Sequence, residues 1–322
     1  MRYVTRLISA VFLATAAIMP AFAQQYPTKP IKLILPFPAG GATDVMSRIL
    51  AEKLTPRLGQ TVIVENKPGA GTMLASEYVA KAPADGYTLL MAASSLVIAP
   101  SLYSKVNYDP IKDFTPVTQV AAVIHLVVVN PNLPVKSIQE LITYLKANPG
   151  KVSYGSTGSG TSTHLEAELF KKMAGVEIQH IPYKGSTPAL ADLVGGQTSM
   201  MFDPIASSKP YLESGRLRAL AVTTAQRSVS APDLPTVAES GLPGYEAMPW
   251  LGIVAPAGTP KAVVDRLYKE VSEVLKMQDV KDRFKSLGLD IIGNTPAEFA
   301  TFIAQDQKKW DQVIKNSGAK VD

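Results

Sequence analysis

Two glycine-rich turns constrain what this chain can fold into. Pro36-Phe37-Pro38-Ala39-Gly40-Gly41 and Gly155-Ser156-Thr157-Gly158-Ser159-Gly160 each follow a strand-like run and each precede a stretch that reads as a helix. Glycine lets a backbone come close to a ligand. The first turn of a helix leaves about four N–H groups without an intrahelical partner, with partial positive charge behind them. A strand, glycine turn and helix in that order is therefore both a unit of an α/β sheet and an anion clamp, and a pair of clamps suits carboxylates.

The flanking pattern agrees. Ile31 to Leu35, Thr43 to Leu58, Thr61 to Val64, Thr72 to Ala80 and Tyr87 to Ala92 alternate apolar runs with amphipathic segments in a βαβαβ rhythm. Val45, Met46, Ile49, Leu50 and Leu54 lay one stripe against a sheet, and Gly59 marks the helix end. After an irregular stretch from Asn107 to Ala122, strands are predicted at Leu126 to Val129, Val152 to Tyr154, Ile178 to Ile181, Ser199 to Phe202 and Leu217 to Val222. Ser137 with Glu140 and Thr295 with Glu298 form capping boxes, while Thr187-Pro188 and Asp203-Pro204 set a capping side chain before a proline. Residues 228–248 are rich in Pro, Gly and Ser without a period. Beyond them Trp250 to Ala255 reads as a strand, Thr259-Pro260 opens a long helix, and the last helix carries Phe299, Phe302, Ile303, Trp310 and Ile314.

Arg2 and Arg6, an apolar run from Leu7 to Met19 and the small-x-small sequence Ala21-Phe22-Ala23 predict a secretory signal peptide over residues 1–23, removed after Ala23. The run falls short of the roughly 20 residues a spanning helix needs, and no cysteine stands near the cleavage site to take a lipid. The expected mature protein is exported and soluble, in the periplasm of a Gram-negative cell. The absence of cysteine excludes disulfides and thiol catalysis. Loss of Arg2 and Arg6 takes the basic count from 32 to 30 against 27 acids, a surplus of +3 that mildly favours anionic ligands. Charges are scattered at helical spacing without a basic, aromatic-interleaved cluster, so nucleic-acid binding is not expected.

Enzymatic motifs do not fit. The loop from Gly155 to Thr161 has the outer glycine spacing of a Walker loop, but Thr161 stands where its lysine belongs. Neither turn reads GxGxxG, and Ser156 and Ser159 lack the flanking glycines of a nucleophile elbow. The histidines, His125, His164 and His180, show no metal-ligand spacing and read as structural or exposed. No metal and no cofactor is expected.

Ile31-x-Leu33-Ile34-x-Pro36-Phe37-x-x-Gly40-Gly41-x-x-Asp44, followed by Glu65-Asn66-x-Pro68-Gly69-Ala70-Gly71, resembles the substrate-binding component of the tripartite tricarboxylate transporter family, the Bug receptors. Ala82-x-x-Asp85-Gly86-Tyr87, the loop from Gly155 to His164, Pro182-Tyr183-x-Gly185, the Trp250 to Pro260 segment and Gly288 extend the resemblance over essentially the whole mature chain. The resemblance implies a periplasmic type II binding-protein fold: two α/β lobes joined by two crossing segments, with the ligand in the interdomain cleft. It divides the chain into a first domain of residues 24–124 and 251–322 and a second of residues 125–250. It also implies a monomeric, non-catalytic receptor that delivers a carboxylate to a membrane permease. Citrate and other tricarboxylates, dicarboxylates, acidic amino acids and aromatic carboxylates are the ligands implied, and the shared motifs do not choose among them.

By the same resemblance the ligand is gripped by the two helix-opening loops, here residues 37–44 and 156–163. Phe37, Ala39, Gly40, Gly41 and Asp44 come from the first. Ser156, Thr157, Ser159, Gly160, Thr161 and Ser162 come from the second, whose hydroxyls and amides together can saturate a carboxylate without an arginine. Several roles stay open. Thr161 or Ser162 either contacts ligand or caps its helix, and Phe37 either covers the ligand or packs its turn. Asp44 caps its helix, orders water or accepts from a ligand amine or hydroxyl. Asp203 faces the cleft or caps the next helix. Ser94 and Ser95 follow a strand and are expected at the same crevice, because open α/β sheets bind ligands at the C-terminal ends of strands. A receptor that signals through a membrane sensor is a second function compatible with these features, and an exported hydrolase or lyase a third.

Overall fold

The computed structural model describes residues 26–317, and the predicted signal peptide lies outside the described residues. Two sheets organise them. The first has the strand order β11-β4-β10-β3-β1-β2, built from β1 (Ile31–Leu35), β2 (Val62–Asn66), β3 (Thr88–Ala93), β4 (Phe114–Val123), β10 (Trp250–Pro256) and β11 (Leu289–Ile291). The second has the order β7-β6-β8-β5-β9, built from β5 (His125–Val129), β6 (Ser153–Ser156), β7 (Gln179–Pro182), β8 (Met200–Pro204) and β9 (Arg218–Val222). In the first sheet β1 runs parallel to β2 and β3, and β10 runs antiparallel to β3 and β4. In the second, β6 is parallel to β7 and β8, and β5 is antiparallel to β8 and β9.

Burial explains the first unit. In β1 only Lys32 is exposed, while Ile31, Leu33, Ile34 and Leu35 are buried, as a strand covered on both faces requires. α1 (Ala42–Leu58) follows with Met46, Leu50, Leu54 and Leu58 buried. They share a core with Leu267, Val271 and Val274 of a later helix on the same sheet, Lys261–Leu275. Gly59 ends α1 in the left-handed conformation at φ 70°, its N–H donating to Thr55 O at 3.1 Å.

The chain passes between the sheets at two places that touch. Residue 124 separates β4 from β5, and Pro249 leads into β10; Val123 N–H donates to Pro249 O at 2.7 Å, so the passages lie side by side. Trp250 is anchored beside them, its Nε1 donating to Asp306 Oδ2 at 2.8 Å and its ring packed edge-on against Phe299. Both partners belong to the C-terminal helix Pro296–Ser317.

Three expectations change. The stretch from Asn107 to Ala122 contains β4 rather than being irregular throughout. Pro116 and the register shifts opposite β10 disguise it, and Pro116 is tolerated because β11 pairs only with Ala121 to Val123. The helix Ser95–Leu102 was not signalled, because Leu96, Val97, Ile98 and Ala99 are all buried and leave no amphipathic period. Two proline-flanked starts lack the expected cap: Gly185 rather than Thr187 precedes its helix, and Pro204 rather than Asp203 precedes the next, with no side-chain cap at either. The boxes of Ser137 with Glu140 and of Thr295 with Glu298 do form their N-terminal hydrogen bonds.

Candidate functional site

A cavity of about 340 Å³ opens where the two sheets face each other. Its walls come from the turn after β1, the segment following β3, the two passages, and the loop after β6. This is the position expected for a ligand site, at strand C-terminal ends.

The loop after β6 supplies a polar wall. Thr157, Ser159, Gly160, Thr161 and Ser162 all line the cavity and lead into the helix Ser162–Ala174. That helix has no side-chain cap, because Thr161 Oγ1 donates instead to Gly158 O at 2.7 Å. Thr161 O accepts from the N–H groups of His164 and Leu165, which leaves those of Ser162 and Thr163 for the cavity end of the helix. The loop is braced from behind. Gly160 N–H donates to His164 Nδ1 at 3.0 Å, and Ser156 Oγ lies 2.7 Å from His180 Nε2. The two imidazoles stack with centroids 4.1 Å apart, and His180 stacks in turn on Tyr154. Burial depresses the pKa of both histidines below the ordinary value, His180 to about 4, with His164 adding to the effect. Ser156 is itself fully buried and lies outside the lining.

The turn after β1 is built differently. Phe37 and Thr43 line the cavity, but Ala39, Gly40 and Gly41 lie exposed outside its lining. Gly40, at φ 90°, turns its N–H onto Asp44 Oδ2 at 3.0 Å. Asp44 is buried and also accepts from Arg48 Nε and Nη2, each at 3.0 Å, and from Asn66 Nδ2 at 2.9 Å. The Arg48 hydrogen bonds, helped by Gly40 and Asn66 against the cost of burial, hold its pKa down at about 2. Asp44 thus stands behind the turn as its internal anion and is not among the lining residues.

Ser94 and Ser95 reach the cavity as expected. Asp203 does not. It is fully buried and accepts from Ser186 Oγ at 2.6 Å, Ser207 Oγ at 2.5 Å and Ser208 Oγ at 2.7 Å, which ties β8 to two neighbouring helices.

Sequence reasoning missed other lining residues. Thr72 sits at φ 81° after Gly69, Ala70 and Gly71, all with positive φ, and bonds Ser95 Oγ at 2.7 Å. Tyr103 packs its hydroxyl so close to Gly71 that a Cβ there would lie 2.5 Å away. The Asn66-x-Pro68-Gly69-Ala70-Gly71 run was the available signal for this corner. His125, in the first passage, lies on the floor with Nδ1 3.0 Å from Oε2 of the buried Glu166. Burial opposes its protonation, but the Glu166 carboxylate outweighs it and raises its pKa, so the pair adds little net charge. Among the described residues no group of three or more His, Cys, Asp or Glu side chains is placed to hold a metal ion.

The model of the tripartite tricarboxylate transporter family receptor matches residues 46–319, and the chain belongs to that family. Its members are periplasmic solute-binding receptors, not enzymes. BugT of Bordetella pertussis is 40% identical over 98% of this chain and 99% of its own. The structure of Rhodopseudomonas palustris Rpa4515 with adipate is 39% identical, covers 92% of this chain and all of that one, and superposes with a TM-score of 0.78. MatC from the same organism, with bound malate, is 31% identical over 90% of this chain and all of its own, at a TM-score of 0.74. Among the described residues no helix is long and apolar enough to cross a membrane.

Proposed function

We propose that the protein captures a small organic carboxylate between two lobes, residues 24–124 with 251–322 and residues 125–250, and delivers it to a membrane permease of the tripartite tricarboxylate transporter type. The observation that carries this reading is the cavity itself: an uncapped helix N-terminus and the hydroxyls after β6 look across it at Ser94, Ser95 and Thr72. A carboxylate held by such donors gains roughly 1.5–3 kcal/mol per hydrogen bond, so a handful supports micromolar binding after ordering costs. Adipate and malate in the related structures point the same way. The paired passages at residues 123–125 and 249–250 act as the hinge, and closure brings the donors of both lobes onto the ligand. Residues 1–23 direct export and are removed, leaving a monomer in the periplasm.

A thermal-shift and calorimetry panel of organic acids tests capture. A ligand at ~100 times its dissociation constant stabilises the protein by about 2.7 kcal/mol. Deletion of the gene followed by uptake of the identified labelled acid tests delivery. Uptake that survives at the wild-type rate removes the transport role and leaves only capture.

A further inference from the structure

Resting on that reading of the cavity, we infer that its preferred ligand is an acid with one carboxylate end and an apolar body, rather than a hydroxylated di- or tricarboxylate. The charge inventory is the first reason. Among the described residues lining the cavity there is no Lys or Arg, and the one basic group, His125, is already matched by Glu166. A single carboxylate can be satisfied by neutral hydroxyl and N–H donors. Each further carboxylate would have to leave water without a counter-charge, which is strongly unfavourable.

The second reason is that only one of the two glycine turns lays a row of donors along the cavity. The turn after β1 already spends the Gly40 N–H on Asp44, whose carboxylate is in turn matched by Arg48, and of its residues only Phe37 and Thr43 line the cavity. Both helices lack a side-chain cap, but the loop after β6 has no comparable internal acid and lays Thr157, Ser159, Thr161 and Ser162 along the cavity.

The wall between the two turns is the third reason. Ile98, Ala99 and Leu102 from the helix after β3, Tyr103 just beyond it, and Val123 and Trp250 from the passages add an apolar stretch to the lining beside Thr72, Ser94 and Ser95. Trp250 is fixed there by Asp306 and Phe299, so the wall is rigid. A ring or short alkyl chain lies against that stretch without loss, whereas a hydroxyl or further carboxylate laid on it loses water and meets no cation.

Calorimetry on the mature full-length protein tests this, with benzoate and hexanoate on one side, malate and citrate on the other, and adipate and benzamide as controls. Benzoate or hexanoate should bind at least about tenfold tighter than malate and citrate, the effect of burying roughly two methylene groups, and benzamide should bind far more weakly than benzoate. Leu102→Ala should weaken benzoate and hexanoate and leave malate and citrate unmoved; the wild-type ranking decides the matter if that variant does not fold. Malate, citrate or adipate binding as tightly as benzoate or more so overturns this inference while leaving the carboxylate receptor standing. Failure of every acid to bind overturns the receptor reading itself.

Discussion

The turn after β1 and the loop after β6 begin from one local recipe, a strand, a glycine turn and a helix, and finish as opposites. In the first, an aspartate in the first turn of its own helix folds back and accepts from the Gly40 N–H. In the second, the residue four after Gly160, third in its helix as Asp44 is in its own, is His164, an acceptor that braces Gly160 without supplying negative charge. The difference teaches that a helix N-terminus is an anion site only where the chain has not already supplied the anion.

Ser162→Ala should break the open clamp. It removes a hydroxyl from the lining at the mouth of the uncapped helix, and the loss of a hydrogen bond to a charged group, about 1.5–3 kcal/mol, corresponds to about a 10- to 150-fold rise in Kd. Calorimetry with the tightest acid of the panel checks it. An unchanged Kd would mean that the loop holds the ligand through amides alone.

Asp44→Ala sharpens the comparison from the other side. It leaves Asn66 Nδ2 and Gly40 N–H short of an acceptor and should lower unfolding stability by about 1–3 kcal/mol, measured by denaturant titration. The emptied turn should also bind dicarboxylates more tightly than the wild-type protein does. If their affinity does not rise, Asp44 is not what keeps a second anion out.

A matched pair of glycine substitutions separates architecture from binding. Gly40 at φ 90° and Gly160 at φ 76° both lie where a side chain strains the backbone, so either change to Ala should cost about 1–2 kcal/mol of stability. Only Gly160→Ala should also weaken ligand binding, because Gly160 lines the cavity and Gly40 does not. Equal effects on Kd would erase the distinction between the turns.

Much of this was legible in the chain. β1 and α1 announce themselves by their apolar periods, and the four hydroxyls of Thr157, Ser159, Thr161 and Ser162 fall within six residues, so their clustering needs no tertiary information. β4 was hidden because Pro116 and its bulges break the alternation that betrays a strand. Thr72, His125, Tyr103 and Trp250 come from separate segments and meet only when the sheets face each other. Asp44 is the instructive middle case: its partner Arg48 stands at i+4, a spacing visible in the sequence, but Asn66 is 22 residues away, and only their convergence tells an internal anion from a ligand contact. Asp203 hides in the same way, since Ser186 is 17 residues upstream.

The gentlest test is acid, because the two turns should fail in different pH windows. His164 and His180 are depressed below the ordinary 6.5, His180 to about 4. Above 6.5 they are neutral whether folded or unfolded, and their contribution to stability is fully present. As pH falls below 6.5 the unfolded chain takes up protons that the folded stack refuses, so stability declines until the folded imidazoles protonate as well, near 4 for His180. The groups facing the stack are Tyr154 and Ser156 from β6, with Glu168 and Lys171 from the helix of His164; Glu168 opposes the depression and Lys171 reinforces it. Protonation of His164 Nδ1 also removes the acceptor of Gly160 N–H, so ligand affinity should fall at the acid end of the same window. Asp44 behaves later: its pKa is depressed from 3.8 to about 2, and the stability it contributes is lost only as pH drops between those values. His180→Phe should flatten the upper limb of the stability profile and leave the lower one, while Asp44→Asn should do the reverse. A single limb unaffected by either substitution would show that the acid response belongs to some other part of the protein.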